Sequence, residues 1–264
     1  MKKSSTPVDF SVVIPAYNEA EMLKCTLPSI YQMRPKEVIF VLDRCIDSTE
    51  EIIRGFWKTR GSSKVKLVLL KVKEKSRWRK HLNFLYDLGI RNATSEVVLL
   101  SQADILHDYT TIRNNIHWGL HGMVSFAVLE HPHISPWNHF ITKVLQTLGS
   151  FFGIHRFSGI IGMQKAHYLS CPLTSDDPLN FDTKLKINFE RKGFSYKFIK
   201  ARNFHLRPWV RSKLWGVGVA RYMIRRPFWK VLLFSIVRLT PQVIAGYLHA
   251  RYLNNTNQCV EEFK

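Results

Sequence analysis

The chain has 264 residues, 45% of them hydrophobic, enough for one large folded domain or one domain with an appendage, which excludes an intrinsically disordered protein. Its four cysteines, Cys25, Cys45, Cys171 and Cys259, form no CxxC pair, which argues against a zinc knuckle or a disulfide framework and for a reducing compartment. The formal net charge of +19 belongs mostly to one end, because Arg191 to Val260 holds fourteen Lys and Arg and no Asp or Glu.

Taken in chain order, the opening lysines precede an apolar run, Phe10 to Ala16, that is too short for the core of a signal peptide. FSVVIPA instead reads as a strand that stops at Pro15, since proline cannot continue a central ladder. Asn18 falls where a helix N-cap belongs, and EAEMLKCTLPSIYQM places Met22, Leu23, Leu27 and Ile30 on one helical face. EVIFVLD is the next strand, ending at Asp43, and DSTEEIIRGFW opens a helix with Asp47 or Ser48 as its cap. VKLVLLKV and SEVVLLS follow as strands, with HLNFLYDLGIRNA a helix between them.

This alternation predicts an α/β fold with a Rossmann-like, mostly parallel sheet covered on both faces. Ligands of such sheets bind beyond the carboxyl ends of the strands, where Pro15 to Glu19, Asp43 and Asp104 all fall. Each acid has a plainer reading: Asp43 and Asp47 as caps of the following helix, Asp104 as the cap of an element near Tyr109. Several carboxylates on one rim repel one another unless a cation or a ligand offsets them, and hard oxygen donors suit Mg²⁺ or Mn²⁺. No GxGxxG or GxxxxGK[ST] follows a strand, so neither a dinucleotide site nor a P-loop is supported.

VVIPAYNEA, then VLDRCIDST, then SQAD resembles, in order and spacing, the inverting family 2 glycosyltransferases of GT-A fold. The resemblance covers residues 9 to about 205 and implies that Pro15, Ala16, Tyr17, Glu19 and Asp43 hold the base and ribose of a nucleotide sugar. It matches the metal-binding DxD motif to Gln102, Ala103 and Asp104, so that the first acid is missing and metal binding rests on Asp104. Leu42 and Arg44 replace an Asp and a Gly of the base-binding loop, and Tyr86-Asp87 stands where an Arg-Asn pair is common. FDTKLKINFERKGFSY resembles the family's EDTDLSLRLRRAGY helix, which puts Asp182 at the acceptor-activating base and Phe181 in place of a Glu. The plainer reading of Asp182 is an acid in the first turn of a helix.

FHLRPWVRSKLWG is similar to a signature of dolichyl-phosphate mannose synthases, with Arg207, Ser212 and Lys213 in matching positions and Val210 where a glycine is usual. Those residues are expected at a donor diphosphate or a lipid phosphate. His205, just past the strand-like KFIKA, is either a further metal ligand, as in some relatives, or a buried structural histidine.

The basic tail contains VLLFSIV and LTPQVIAGYL, too apolar for a nucleic-acid arm, while Arg238 and Pro241 interrupt any span of the roughly twenty apolar residues a bilayer needs. Interfacial helices on anionic lipid fit this pattern, and a packed helical subdomain with a solvated basic face is the alternative. The sequence thus predicts a GT-A domain over residues 1–205 and a basic, apolar helical extension over 206–264. The expected activity is a metal-dependent (Mn²⁺ or Mg²⁺), inverting transfer from a GDP- or UDP-sugar to a polyprenyl-phosphate, glycolipid or glycan, on the cytoplasmic face of a membrane and without nucleic acid. A nucleic-acid-binding protein on a nucleotide-binding scaffold and a degenerate sugar-nucleotide binder are the alternatives.

Overall fold

A computed structural model describes residues 9–60, 65–130, 160–207, 213–223, 225–238 and 240–255. The chain divides into two compact units, the first containing the described residues up to Leu206 and the second those from Arg207 onward.

In the first unit, β1 (Phe10–Ala16), α1 (Ala20–Gln32), β2 (Glu37–Asp43), α2 (Thr49–Thr59), β3 (Lys66–Val72), α3 (His81–Asn92) and β4 (Val97–Leu100) alternate as expected. Beyond them come β5 (Ile105–Leu106), α4 (Tyr109–Leu120), β6 (Val124–Glu130), β7 (Ile160–Gln164), α5 (Lys165–Ser170), α6 (Phe181–Arg191) and β8 (Tyr196–His205). The eight strands form one sheet in the order β3-β2-β1-β4-β7-β6-β8-β5. The pairings among β3, β2, β1 and β4 are parallel, and so is β6 with β8. The pairings β4–β7, β6–β7 and β5–β8 are antiparallel, so the sheet is mixed at that end.

Side-chain alternation along the strands feeds two cores. Val12, Ile14, Val38, Phe40 and Leu42 point to one face, against Leu23, Leu27 and Ile30 of α1 and Ile53 and Trp57 of α2. Val13, Ile39 and Val41 point to the other, with Leu85, Tyr86 and Ile90 of α3 and Phe181, Leu185 and Phe189 of α6. Every residue of β2 is buried, as a strand covered on both faces requires. With both faces closed, polar chemistry is left to the rim where the parallel strands end.

Two local expectations are corrected. β1 runs through Pro15 to Ala16, because β4 pairs only with Phe10 to Val13 and no partner on that side needs the proline's missing N–H. Asn18 is not an N-cap; Glu19 precedes α1, and Asn18 sits at φ 51° with its Oδ1 accepting from the Ile46 N–H at 2.9 Å.

At the opposite end of the sheet, Glu37 is buried with Oε1 accepting from Ser11 Oγ at 2.6 Å, the Thr94 N–H at 2.6 Å and Thr94 Oγ1 at 2.9 Å. Burial pushes its carboxyl up, but these donors outweigh it and hold the group below its ordinary value.

In the second unit, α7 (Lys213–Met223), α8 (Phe228–Arg238) and α9 (Pro241–Asn255) pack around Val231, Val243 and Tyr247, with Val217, Tyr222 and Phe228 against them. Gly218 permits this, since a Cβ there would stand 2.1 Å from the Val243 carbonyl oxygen. Among the described residues no helix is long and apolar enough to cross a membrane.

α3 lies as close to β1, because a Cβ on Gly89 would meet Val13 Cγ1 at 2.3 Å. Ala favours a helix over Gly by about 1 kcal/mol, whereas overpacking a closed core costs roughly 1–3 kcal/mol. Gly89→Ala is therefore expected to lower the unfolding free energy, read as a lower urea midpoint; a raised midpoint would show that α3 has room to move.

Candidate active site

The strand ends of β2, β1 and β4 lie side by side, so the loops after Asp43, Ala16 and Leu100 share one rim. The first two loops are stitched together. Besides the Asn18–Ile46 bond, the Glu19 N–H donates to Thr49 Oγ1 at 2.8 Å and the Ala20 N–H to Asp47 Oδ2 at 3.1 Å. Asp47 also accepts from the Thr49 N–H at 3.1 Å, so it serves the starts of both α1 and α2, although Ser48 is the residue that precedes α2. Pro15 and Ala16 close β1 at this rim, and Tyr17 projects from it 53% exposed.

Asp43 does not cap α2. Its Oδ1 accepts from Arg44 Nε at 2.8 Å and His81 Nε2 at 2.9 Å, and its Oδ2 from Arg44 Nη2 at 2.9 Å. The Ser76 N–H donates to His81 Nδ1 at 3.0 Å, which leaves Nε2 as the nitrogen carrying the proton given to Asp43. Burial pushes the Asp43 carboxyl up, but the hydrogen bonds from Arg44 and His81 prevail and hold it below its usual value. Arg44 adopts φ 46°, a left-handed backbone that costs a side-chain-bearing residue on the order of 1 kcal/mol, and its guanidinium lies 5.4 Å from the Tyr17 ring centroid.

The Gln102–Asp104 turn is pinned by Thr26 of α1, whose hydroxyl donates to the Ala103 carbonyl at 2.7 Å. Asp104 is 6% exposed and does not cap the next helix, because Asp108 does so by accepting from the Thr111 N–H at 2.9 Å. Instead, β5 pairs with the end of β8, setting Ile105 opposite His205, and the Leu206 N–H donates to the Asp104 carbonyl at 2.9 Å. This brings His205 Nε2 to 3.3 Å from Asp104 Oδ2. His205 therefore stands beside the rim, its side chain 17% exposed.

A carboxylate oxygen beside an imidazole nitrogen is a donor pair that fits Mn²⁺ better than Mg²⁺, and two protein ligands leave room for phosphate oxygens. Among the described residues no group of three or more His, Cys, Asp or Glu could hold a metal. His107 is not part of the rim: it is buried between Ser101 Oγ, 2.6 Å from Nε2, and Ser29 Oγ, 3.3 Å from Nδ1, and burial takes its pKa down to about 3.

Tyr86 joins this turn to Asp182. Its hydroxyl donates to the Ser101 carbonyl at 2.8 Å, and its ring lies 4.0 Å from that of Phe181. The phenol is raised well above its ordinary value, first by burial and then by the charges of Asp182 and Asp104, so both carboxylates bear on one side chain. Asp182 lies in the first turn of α6, where its Oδ1 accepts from the Thr183 N–H at 2.7 Å. Burial nonetheless raises its carboxyl above the ordinary range.

The expected phosphate-binding residues fall in the second unit or outside the described residues. Arg207 is half-buried and belongs to the second unit; Ser212 lies outside the described residues, and Lys213 opens α7 with its side chain outside them. Sequence reasoning missed His81. Its signal was its place as first residue of the helix after β3, one more strand ending at the same rim.

The profile of glycosyl transferase family 2 matches residues 11–161, and the chain belongs to that family. No curated protein matches it in sequence. Among solved structures it is similar to a mannosyltransferase of Pyrobaculum calidifontis in complex with GDP-Man and Mn²⁺, with 19% identity over 94% of this chain and 76% of that one and a TM-score of 0.63. It is also similar to residues 1–349 of S. aureus TarS, at 15% identity, 97% and 76% coverage and TM-score 0.55. A third is glucosyl-3-phosphoglycerate synthase of Mycobacterium tuberculosis with Mn²⁺, UDP and phosphoglyceric acid, at 15% identity, 78% and 73% coverage and TM-score 0.52. The fold is GT-A.

Because the Asp182 carboxyl is raised in the folded state, its contribution favours folding below the ordinary carboxylate pKa and is lost as pH rises through the folded value. Asp182→Asn is thus expected to unfold at higher denaturant than the wild type at pH 8, with the difference vanishing in acid. A variant less stable than wild type at pH 8 would contradict this.

Proposed function

We propose that the chain is a metal-dependent, inverting glycosyltransferase that takes a sugar from a nucleotide-sugar donor and passes it to a membrane-borne acceptor. The observation that carries this reading is the meeting of Asp104 and His205, 3.3 Å apart, beside the strand ends, with Asp182 in the first turn of the helix whose Phe181 packs on Tyr86. In this reading the nucleoside lies across Pro15 to Glu19 and Asp43, with Gln102 hydrogen-bonding a ribose or sugar hydroxyl. Asp104 and His205 hold Mn²⁺ or Mg²⁺, which when bound neutralises the diphosphate. The complexes of the Pyrobaculum calidifontis and Mycobacterium tuberculosis enzymes with Mn²⁺ support a divalent ion.

The acceptor oxygen attacks the anomeric carbon as the bond to the diphosphate breaks, and the nucleoside diphosphate leaves with the electron pair. If the acceptor is a hydroxyl, its proton passes to Asp182, whose raised proton affinity suits a general base. A polyprenyl phosphate arrives ionised and needs no such transfer. For Arg207, Ser212 and Lys213 we keep the phosphate-binding role that the sequence resemblance implies.

The second unit supports attachment to the cytoplasmic face of a membrane. On α8, Val231 and Ser235 are buried while Trp229, Leu233 and Ile236 form a stripe 61%, 56% and 59% exposed. Arg225 and Lys230 are exposed near it. Apolar side chains with a Trp, flanked by cations, fit the surface of an anionic bilayer. Nucleic acid does not account for such a stripe.

The test uses vesicles of anionic phospholipid carrying polyprenyl phosphate or a glycolipid, with radiolabelled GDP- and UDP-sugars. Transfer to one lipid is expected, together with co-flotation that is lost when Trp229, Leu233 and Ile236 are all changed to Ser. Asp182→Asn is expected to abolish transfer to a hydroxyl and spare transfer to a phosphate. Binding of RNA with steep salt dependence, without flotation or transfer, would contradict the proposal.

A further inference from the structure

The strand-β2 end of the rim presents donors where an acid would be expected to face the ligand. Both oxygens of Asp43 already accept hydrogen bonds from Arg44 and His81. The Asp43 side chain is only 6% exposed, whereas that of Arg44 is 36% exposed. A ligand reaching this rim therefore meets the guanidinium, flanked by the exposed ring of Tyr17.

Arg44 spends Nε and one Nη2 hydrogen on Asp43. The edge that remains, Nη1 with the other Nη2 hydrogen, is a planar fork of two donors and no acceptor. The imide N3–H of uracil sits between its carbonyls and requires an acceptor, and the one acceptor site left on Asp43 Oδ2 belongs to a side chain only 6% exposed. Guanine instead presents two adjacent acceptors, O6 and N7, which an arginine fork engages together. Adenine pairs its N7 with an amino group, a second donor facing a donor.

Building on the donor reading above, we propose that Arg44 selects the nucleotide: its free fork reads O6 and N7 of a guanine, making the donor a guanosine-diphosphate sugar. The left-handed backbone at Arg44 aims the fork, since the side chain folds back on its own neighbour Asp43. Because φ is 46°, replacement by glycine relieves the backbone, and such a variant is expected to remain folded.

The experiment is calorimetric titration of the full chain, with Mn²⁺ present, using GDP, 7-deaza-GDP, UDP and ADP. It compares wild type with Arg44→Gly and Arg44→Lys, with the melting temperature of each variant as a control. Wild type is expected to bind GDP roughly ten- to a hundredfold more tightly than UDP or ADP and to lose much of that advantage with 7-deaza-GDP. Both variants are expected to bind nucleotide with that preference largely erased, since Lys keeps the charge without the fork. Variants that keep the wild-type ratio, or a wild type that prefers UDP or ADP, overturn the role of Arg44 and leave the donor reading standing. A wild type that binds no nucleotide overturns the donor reading, and this inference with it.

Discussion

The short pairing of β5 with the end of β8 is the contact on which the site depends. Two residues of each strand suffice to hold Asp104 and His205, far apart in sequence, within 3.3 Å of each other. The carbonyl of Asp104 is itself held by the Leu206 N–H, so the turn that carries the carboxylate is fixed at its backbone from one side and by Thr26 from the other. Under the proposed function, rigid support of this kind would leave little ordering to be done when an ion and a diphosphate arrive.

The acids of the rim are handled by different physics. Asp43 is paired inside the protein with Arg44 and hydrogen-bonded by His81, which keeps it ionised while leaving it little exposed. Asp104 is paired with a histidine that is a potential co-ligand. Asp182 accepts from a backbone N–H and pairs with no cation among the described residues, and burial raises its proton affinity. Phe181, in the place of an acid, removes a neighbouring charge that would have repelled Asp182. The departures from the family pattern are thus mutually consistent: one carboxylate fewer at Gln102, one fewer at Phe181, and an arginine at Arg44.

The first half of the fold was legible because its strands are buried on both faces and its helices carry clean apolar stripes; β2 coincides with EVIFVLD and α3 nearly with its expected run. The antiparallel end of the sheet was not, since β5 has only two residues and its pairing with β8 depends on a contact no local pattern encodes. The place of Asp104 beyond a strand end and of Asp182 in the first turn of a helix was legible in the sequence. His81 was not, because a lone histidine opening a helix carries no spacing signal, and its meaning appears only when β2 and β3 stand side by side. Asn18 misled for a related reason: its side chain ties down the neighbouring loop instead of capping its own helix.

The tail shows the same limit in another form. Its composition announced apolar helices among cations, and α8 and α9 pack on Val231, Val243 and Tyr247 while α8 leaves Trp229, Leu233 and Ile236 in the open. A packed face and an exposed apolar stripe thus occur on one helix.

The central claim is that Asp104 and His205 together hold a divalent ion against a nucleoside diphosphate. It is tested most directly by measuring how Mn²⁺ changes the affinity for GDP and UDP in wild type, Asp104→Asn and His205→Ala. The wild type should bind one nucleotide at least about tenfold more tightly with Mn²⁺, and each variant should lose that gain while keeping its melting temperature. Retention of the full Mn²⁺ effect in both variants, or a wild type indifferent to the metal, would contradict the assignment.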